Sequence, residues 1–86
     1  MGANAHFYTR LARYSEAARR MVTFGFAELS LHRISAQCNA ENHASAHVLE
    51  KLGMKLEGRL RECEFLKGRY WDMLVYGILE GEFHIE

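Results

Sequence analysis

The chain of 86 residues is long enough for one small domain, and a chain of this length buries only about 60–65% of its unfolded surface. Its hydrophobic content of 49% and aromatic content of 12% exceed those of disordered chains, so we expect it to fold. Eleven basic residues balance eleven acidic ones, which excludes the positive charge excess typical of nucleic-acid-binding proteins. No apolar run has the length of a membrane span, and the first residues lack the apolar core of a secretory signal.

Two cysteines, Cys38 and Cys63, are too few for a disulfide scaffold and suit a reducing compartment, so we expect a cytoplasmic protein. Both thiols are expected to be buried as small apolar side chains, since no neighbouring cation and histidine would activate them. The aromatic residues are expected in the core rather than on a base-stacking surface. We therefore expect neither a nucleic-acid partner nor a membrane partner.

In chain order, residues 1–14 show no clear periodicity and are predicted to form an N-terminal arm. A helical pattern begins at Ser15, which is a suitable N-cap. The apolar residues of this helix recur at spacings of three and four and comprise Ala18, Met21, Val22, Phe26 and Leu29. Gly25 lies inside the helix and costs about 1 kcal/mol relative to alanine, so its presence indicates close packing at that point.

Apolar and polar side chains alternate from Arg33 to Asn39, which predicts a short strand. A second helix follows this strand. Asn42 is its predicted N-cap, and Gly53 is a strong signal for its C-terminal end.

Two further strands are predicted to form a hairpin. Residues 54–66 alternate, Lys67-Gly68 is a turn signal, and residues 69–79 are apolar on both faces, as expected for a central strand. The predicted fold is α/β (α+β): helix, strand, helix and β-hairpin, with two helices on a three-stranded, mainly antiparallel sheet. This domain spans residues 15–80, and residues 81–86 form a C-terminal tail.

Ser45 is the first candidate catalytic residue. It lies three and four residues before Val48 and Leu49, so its hydroxyl shares their inward stripe in the first turn of the second helix. Free backbone N–H groups and the positive end of the helix dipole lie there, which suits contact with an anion such as a thiolate or phosphate. A serine satisfied by its own backbone is the alternative interpretation.

Glu64 is the second candidate. Strict alternation places it on the same face as Leu56 and Leu60, a face that we expect to pack against a helix. A carboxylate that continues an inward apolar row is desolvated, which favours action as a general base. A bulge at Gly58 would turn Glu64 outward, and a solvated charge on an edge strand is the alternative interpretation.

His43 and His47 have the spacing of a helical metal pair, and Cys38 lies a few residues upstream. No further motif completes a ligand set, and histidines on an exposed helix face are commonly surface residues. We therefore predict no metal and keep a small metal-binding domain as the least favoured alternative.

A succession of short motifs covers much of the chain. It runs through Asn42-x-x-Ser45, Leu49-Glu50-Lys51-Leu52-Gly53-Met54, Glu57-Gly58-x-Leu60-Arg61, Phe65-Leu66-Lys67-Gly68-Arg69-Tyr70 and Asp72. This succession resembles the C-terminal half of GNAT acetyltransferases, in particular the RimJ/RimL-type branch that acetylates the N-termini of ribosomal proteins. The resemblance covers residues 15–80.

The resemblance implies an N-acetyltransferase, or a fragment of one, in which an amine attacks acetyl-CoA directly. It implies that Asn42 hydrogen-bonds the pantetheine arm, that Ser45 protonates the departing CoA thiolate and that Glu64 is the general base. The family's phosphate loop corresponds to residues 10–16, which contain no glycine. Arg10 and Arg13 are therefore the candidate phosphate contacts.

The resemblance also implies that the chain lacks the first half of a longer domain, so the edge of the strand Arg33–Asn39 is expected to be open. An open edge favours pairing with another chain, and we expect a homodimer or a swapped assembly. Coverage of this edge by the N-terminal arm is the alternative. The expected acceptor is a small-molecule or peptide amine, and a non-catalytic, self-associating or partner-binding half-fold is the alternative function.

Overall fold

The computed structural model describes residues 3–8 and 15–83. Its elements are β1 (Ala3–Tyr8), α1 (Ser15–Ala27), β2 (Leu31–Asn39), α2 (His43–Lys51), β3 (Lys55–Leu66), β4 (Arg69–Leu79) and a 3-10 turn (Glu80–Glu82). The strands form one sheet in the order β1-β2-β4-β3, in which β1 runs parallel to β2 and the other neighbours are antiparallel. The interior position of β4 agrees with its two apolar faces.

The α/β class with two helices is confirmed, but within residues 3–8 and 15–83 the sheet has four strands rather than three. The additional strand, β1, comes from the segment predicted as an N-terminal arm, and it pairs with β2 from Ala3–Leu31 to Tyr8–Gln37. The edge of β2 that we expected to be open is therefore covered. Residues 3–6 are exposed at every position, so burial imposes no alternation on them and the sequence carries no strand signal there.

Both helices pack on the same face of the sheet. The core that they share with β2 and β4 consists of Ala18, Val22, Leu31, Ile34, Ala36, Cys38, Val48, Leu49, Leu52, Met54, Tyr76 and Ile78. Cross-strand pairs such as Ile34–Ile78 and Ala36–Tyr76 lie beneath the helices. Among the described residues, no helix has the length and apolarity needed to cross a membrane.

The two ends of α2 are fixed by the residues that the sequence indicates. The Asn42 side-chain oxygen accepts a hydrogen bond from the Ser45 backbone N–H at 3.1 Å, which caps the helix. Gly53 follows the helix with φ of 92°, and its N–H donates to the Glu50 carbonyl at 3.0 Å. The Met54 N–H donates to the carbonyl of residue 49 at 3.1 Å, which completes a Schellman motif.

The β3–β4 hairpin turns at Lys67 and Gly68, which have φ of 55° and 81°. Positive φ at both central positions is the backbone of a type I′ turn, which matches the twist of the flanking strands. Leu66 pairs with Arg69 directly beside the turn. The predicted turn is confirmed.

The predicted burial of β3 is wrong, because the strand does not alternate strictly. Its register against β4 shifts between Leu56 and Gly58 and again between Leu60 and Glu64. Leu56 is 57% exposed and Leu60 is 43% exposed, so neither packs beneath a helix. β3 forms the edge of the sheet. Its first bulge has one extra residue and changes the face on which the following side chains lie, as the alternative with a bulge at Gly58 anticipated. Its second bulge has two extra residues and leaves that face unchanged.

Glu57 is the extra residue of the first bulge. Its carboxylate forms an ion pair with Arg33 of β2, with 2.9 Å between one pair of atoms, and this pairing lowers the pKa of Glu57. The pair passes over Gly77 of β4, where a Cβ atom would lie 2.5 Å from the carboxylate oxygens. Glycine at this position therefore gives the ion pair its room.

Close packing at Gly25 is confirmed. A Cβ atom there would lie 2.9 Å from the terminal methyl groups of Leu31 and Ile34, so a larger residue would have to displace these methyl groups at the α1–β2 contact. The apolar stripe predicted for α1 is narrower than expected, because Met21 is 47% exposed and Leu29 lies beyond the helix end with 55% exposure.

We expect Gly25→Ala to lower the free energy of unfolding by about 1–2 kcal/mol, because overpacking at the α1–β2 contact outweighs the gain in helix propensity. Urea denaturation measures this change. Gly58→Ala is the matched control, since a Cβ at Gly58 has no described atom within 4 Å. Equal stabilities for the two variants would contradict the close-packing argument.

Candidate active site

Ser45 is fully buried at the start of α2, and its hydroxyl oxygen has no hydrogen-bond partner within residues 3–8 and 15–83. The alternative in which the hydroxyl is satisfied by its own backbone is therefore not what the structure shows. Burial of an unpartnered hydroxyl costs about 1–3 kcal/mol. A polar group that is buried at such a cost is not there to stabilise the fold, which points to a contact with a bound ligand.

The turn before α2 presents the helix N-terminus in a fixed geometry. The Asn39 side-chain oxygen accepts from the Glu41 N–H at 2.8 Å, and the Asn42 N–H donates to the Asn39 carbonyl at 3.0 Å. The N–H groups of His43 and Ala44 open the helix, where no intrahelical carbonyl is within reach. These donors, the helix dipole and the Ser45 hydroxyl together favour an anionic or carbonyl oxygen or a thiolate.

A polar pair that the sequence did not indicate joins α2 to β4, and it consists of the buried Tyr76 and the exposed Glu50. The Tyr76 hydroxyl donates to a Glu50 carboxylate oxygen at 2.9 Å, and burial, followed by this hydrogen bond, raises the pKa of Tyr76 to about 12. Burial also raises the pKa of the Cys38 thiol, and the negative charge of nearby Glu50 raises it further. Cys38 is therefore an inert core residue as predicted, whereas Cys63 is exposed and the prediction of its burial is wrong.

Glu64 lies away from Ser45. It pairs across the hairpin with Trp71, and directly opposed residues share a face of the sheet. Trp71 is an odd number of residues from Tyr76 and Ile78 along β4, so its side chain lies on the opposite face of the strand from these core residues. Glu64 is therefore on the face opposite the helices, where it is partly buried. The structure brings Asn42 and Ser45 together and does not bring Glu64 to the same side of the sheet.

Trp71 is held from two directions. Its indole N–H donates to the Leu66 carbonyl at 2.8 Å, and the Arg69 guanidinium lies 3.7 Å from the ring centroid. Arg69 also donates to the Glu41 carboxylate at 2.7 Å. The strand neighbour of Glu64 is thereby connected to the turn that precedes α2.

The second bulge of β3 lies just before Glu64. Residues 61–63 oppose the single residue Asp72, and Glu62 has φ of 48°, a left-handed conformation that costs about 1–2 kcal/mol in a non-glycine residue. The Asp72 carboxylate accepts from the Glu62 N–H at 2.8 Å and from Arg59 Nε at 2.8 Å. These bonds, the first above all, lower the pKa of Asp72 and offset the cost of the bulge. Asp72 belongs to the motif succession in the sequence, which does not by itself indicate a role for it.

The other candidate residues are the potential metal ligands and the two arginines. His43 and His47 are exposed on α2, whereas Cys38 is buried in the core, so the three do not form a ligand set. Within the described ranges there is no group of three or more histidine, cysteine, aspartate or glutamate side chains that could hold a metal. Arg10 and Arg13 lie outside the described residues.

Comparison with known proteins identifies the class to which this chain belongs. Residues 6–55 match the family model described as the acetyltransferase (GNAT) domain. The chain is 43% identical over 70 residues to the uncharacterized N-acetyltransferase YnaD of Bacillus subtilis, a match that covers 81% of this chain and 41% of YnaD. The chain belongs to the GNAT acetyltransferase family.

Solved structures agree with this assignment. A GNAT-family acetyltransferase from Bacillus anthracis superimposes with a TM-score of 0.74 at 45% identity and covers 80% of this chain and 42% of that protein. A spermidine N-acetyltransferase from Vibrio cholerae, solved with CoA and spermine, superimposes with a TM-score of 0.76 at 32% identity and covers 79% and 40%. The chain spans about two fifths of the length of the relatives that it matches.

The raised pKa of Tyr76 predicts a loss of stability at alkaline pH. The unfolded side chain releases its proton near pH 10 and the folded one near pH 12, so the folded state binds more protons between these values and stability falls as pH rises. We expect the wild type to lose about 1–3 kcal/mol more than Tyr76→Phe across this window. Urea denaturation at pH 9, 10 and 11 measures the difference.

Tyr70→Phe is the control for this experiment, because Tyr70 is 58% exposed. Its pH dependence should follow that of the wild type. If Tyr76→Phe also followed the wild-type curve, the Tyr76 hydroxyl would titrate as it does in the unfolded chain.

Proposed function

We propose that this protein is an acetyl-CoA-dependent N-acetyltransferase, or the part of one that holds the thioester. The observation that supports this most directly is the buried, unpartnered hydroxyl of Ser45 at the N-terminus of α2. Membership of the GNAT family gives that hydroxyl an acceptor of the right chemistry, the sulfur of CoA. The fit is chemical, since an O–H group without an acceptor is suited to donate a proton to a thiolate that forms beside it.

In the proposed step, the nitrogen of a neutral amine attacks the thioester carbonyl carbon and the carbon–sulfur bond breaks. The Ser45 hydroxyl donates a proton to the departing thiolate and is itself reprotonated by solvent. The Glu64 carboxylate, on the other side of the sheet from Ser45, takes through water the proton that the new amide nitrogen loses and passes it to solvent. The Asn42 carboxamide lies beside Ser45, where it would contact the pantetheine arm. Arg10 and Arg13 are the proposed phosphate contacts. Positioning and stabilisation of the developing oxyanion by the α2 N–H groups supply most of the barrier reduction.

The proposed acceptor class is an amine. The RimJ/RimL-type resemblance favours a peptide N-terminus, whereas the Vibrio cholerae relative solved with spermine favours a polyamine. Both are nucleophilic amines, and acetylation assays with spermidine and with a short peptide distinguish them. The two free cysteines support a reducing, cytoplasmic location.

We expect calorimetry to detect acetyl-CoA binding by the chain with Kd below about 1 mM, or about −4 kcal/mol. Ser45→Ala should leave stability unchanged or raise it by about 1–2 kcal/mol, because the variant no longer buries an unpartnered hydroxyl. The same variant should lower the rate of acetyl transfer by about 100-fold if the hydroxyl is the general acid.

Ser35→Ala is the matched control, because the Ser35 hydroxyl lies 2.6 Å from a His6 ring nitrogen and so has a partner to lose. It should lower stability slightly and leave acetyl-CoA affinity unchanged. Absence of heat with the wild-type chain would overturn the proposed function and favour a non-catalytic half-fold. A destabilised Ser45→Ala would show that the hydroxyl is satisfied within the fold.

We further propose self-association through the outer edge of β1. The inner edge of β1 pairs with β2, and within the described ranges no strand pairs with its outer edge. The opposite edge, β3, is interrupted by two bulges and carries Lys55, Arg59 and Arg61, features that oppose edge-to-edge pairing. The uncharged segment Ala3–Tyr8 is therefore the favoured edge.

We expect a dimer mass for the wild type in sizing with light scattering at micromolar concentration. Ala5→Lys places a charge on β1 and should give a monomer, whereas Ala17→Lys on the exposed surface of α1 should leave the dimer intact. A monomeric wild type, or a dimer that survives Ala5→Lys, would contradict pairing through this edge.

A further inference from the structure

Asp72 contacts both segments that carry the candidate catalytic residues. Its backbone carbonyl accepts from the Ala40 N–H at 2.9 Å, in the turn that leads to Asn42 and Ser45. Its carboxylate accepts from the Glu62 N–H at 2.8 Å, two residues before Glu64.

We propose that Asp72 is a positioning residue for acetyl transfer, which fixes the backbone before Glu64 relative to the turn before α2. This inference rests on the proposed function, because it assigns Glu64 a part in the reaction. Ser45 and Glu64 lie on opposite sides of the sheet, so their separation depends on the backbone that connects them rather than on direct contact. Asp72 is hydrogen-bonded to both backbone segments, the turn before α2 and the bulge before Glu64.

The geometry of the bulge explains why a carboxylate is needed. Three residues, 61–63, oppose Asp72, and the left-handed Glu62 turns its N–H toward that side chain. The second carboxylate oxygen accepts from Arg59 Nε at 2.8 Å. An asparagine replaces one of these oxygens by an NH₂ donor and carries no negative charge, so one of the two bonds is lost and the other is weakened.

The test compares Asp72→Asn with the wild type by amide hydrogen exchange and NMR. We expect the Glu62 amide to exchange about tenfold faster or more in the variant, and the side-chain carboxyl ¹³C resonance of Glu64 to move. Amides in the core of β4, such as that of Ile78, should keep their protection. Faster exchange throughout the sheet would indicate general destabilisation and would overturn a specific positioning role.

Glu82→Gln is the matched control. The Glu82 carboxylate also accepts from a backbone N–H, that of Leu79 at 3.0 Å, and from a cation, Lys55 at 2.9 Å, but it lies in the 3-10 turn after β4. This variant should leave the Glu62 amide and the Glu64 resonance unchanged. A Glu64 resonance that moved equally in both variants would overturn the inference.

Arg59→Gln separates the two bonds of the carboxylate and provides a second variant if Asp72→Asn does not fold. It removes the Arg59 bond while Asp72 retains its bond to the Glu62 N–H, so the Glu62 amide should keep most of its protection. If the Glu62 amide lost as much protection in Arg59→Gln as in Asp72→Asn, the Arg59–Asp72 ion pair would be what holds the bulge. That result would overturn the role proposed for the bond between the Asp72 carboxylate and the Glu62 N–H.

Measurement of kcat and KM tests whether the position of Glu64 affects acetyl transfer. Asp72→Asn should lower kcat by about 10- to 100-fold while KM for acetyl-CoA stays within about twofold, because the thioester site is intact and the base is displaced. An unchanged kcat with a displaced Glu64 would overturn the positioning role. If the wild type neither binds acetyl-CoA nor turns over, the proposed function fails, and the NMR comparison still decides whether Asp72 fixes the bulge.

Discussion

The hydrogen bonding of β4 on both of its edges is the constraint on which the rest of the structure depends. β2 and β3 both pair with this strand, and its alternate residues Tyr76 and Ile78 lie in the core beneath the helices. A strand bonded on both edges and covered on one face has little freedom to shift its register. The positions of the α2 turn, the hairpin and both bulges all follow from that fixed register.

Sequence patterns predicted the features that depend on local chemistry. Asn42 and Gly53 fix the ends of α2 through bonds to neighbouring backbone groups, and Lys67-Gly68 turns because both residues adopt positive φ. Gly25 indicated close packing because a glycine inside a helix is costly and needs a reason. Each of these features is determined by contacts within a few residues along the chain, or by a conformation or a close approach that favours glycine.

Features set by distant neighbours were not predictable in this way. Residues 3–6 of β1 are exposed on both faces, so the pairing of this segment with β2 leaves no alternation in the sequence. The side of the sheet on which Glu64 lies is set by the first bulge of β3, and the second bulge, just before Glu64, is stabilised by Asp72 from the neighbouring strand. Ser45 was predicted to point inward, but only the packed structure shows that its hydroxyl has no partner among the described residues.

The environment of Trp71 has a consequence for spectroscopy. It is the single tryptophan of the chain, and its indole is fixed by Leu66 and stacked under Arg69, which in turn reaches Glu41 before α2. Its fluorescence therefore comes from one defined position, beside Glu64 on one side and connected to the α2 turn on the other. Emission from this protein is a direct optical signal of whether the two parts of the candidate active site keep their relative arrangement.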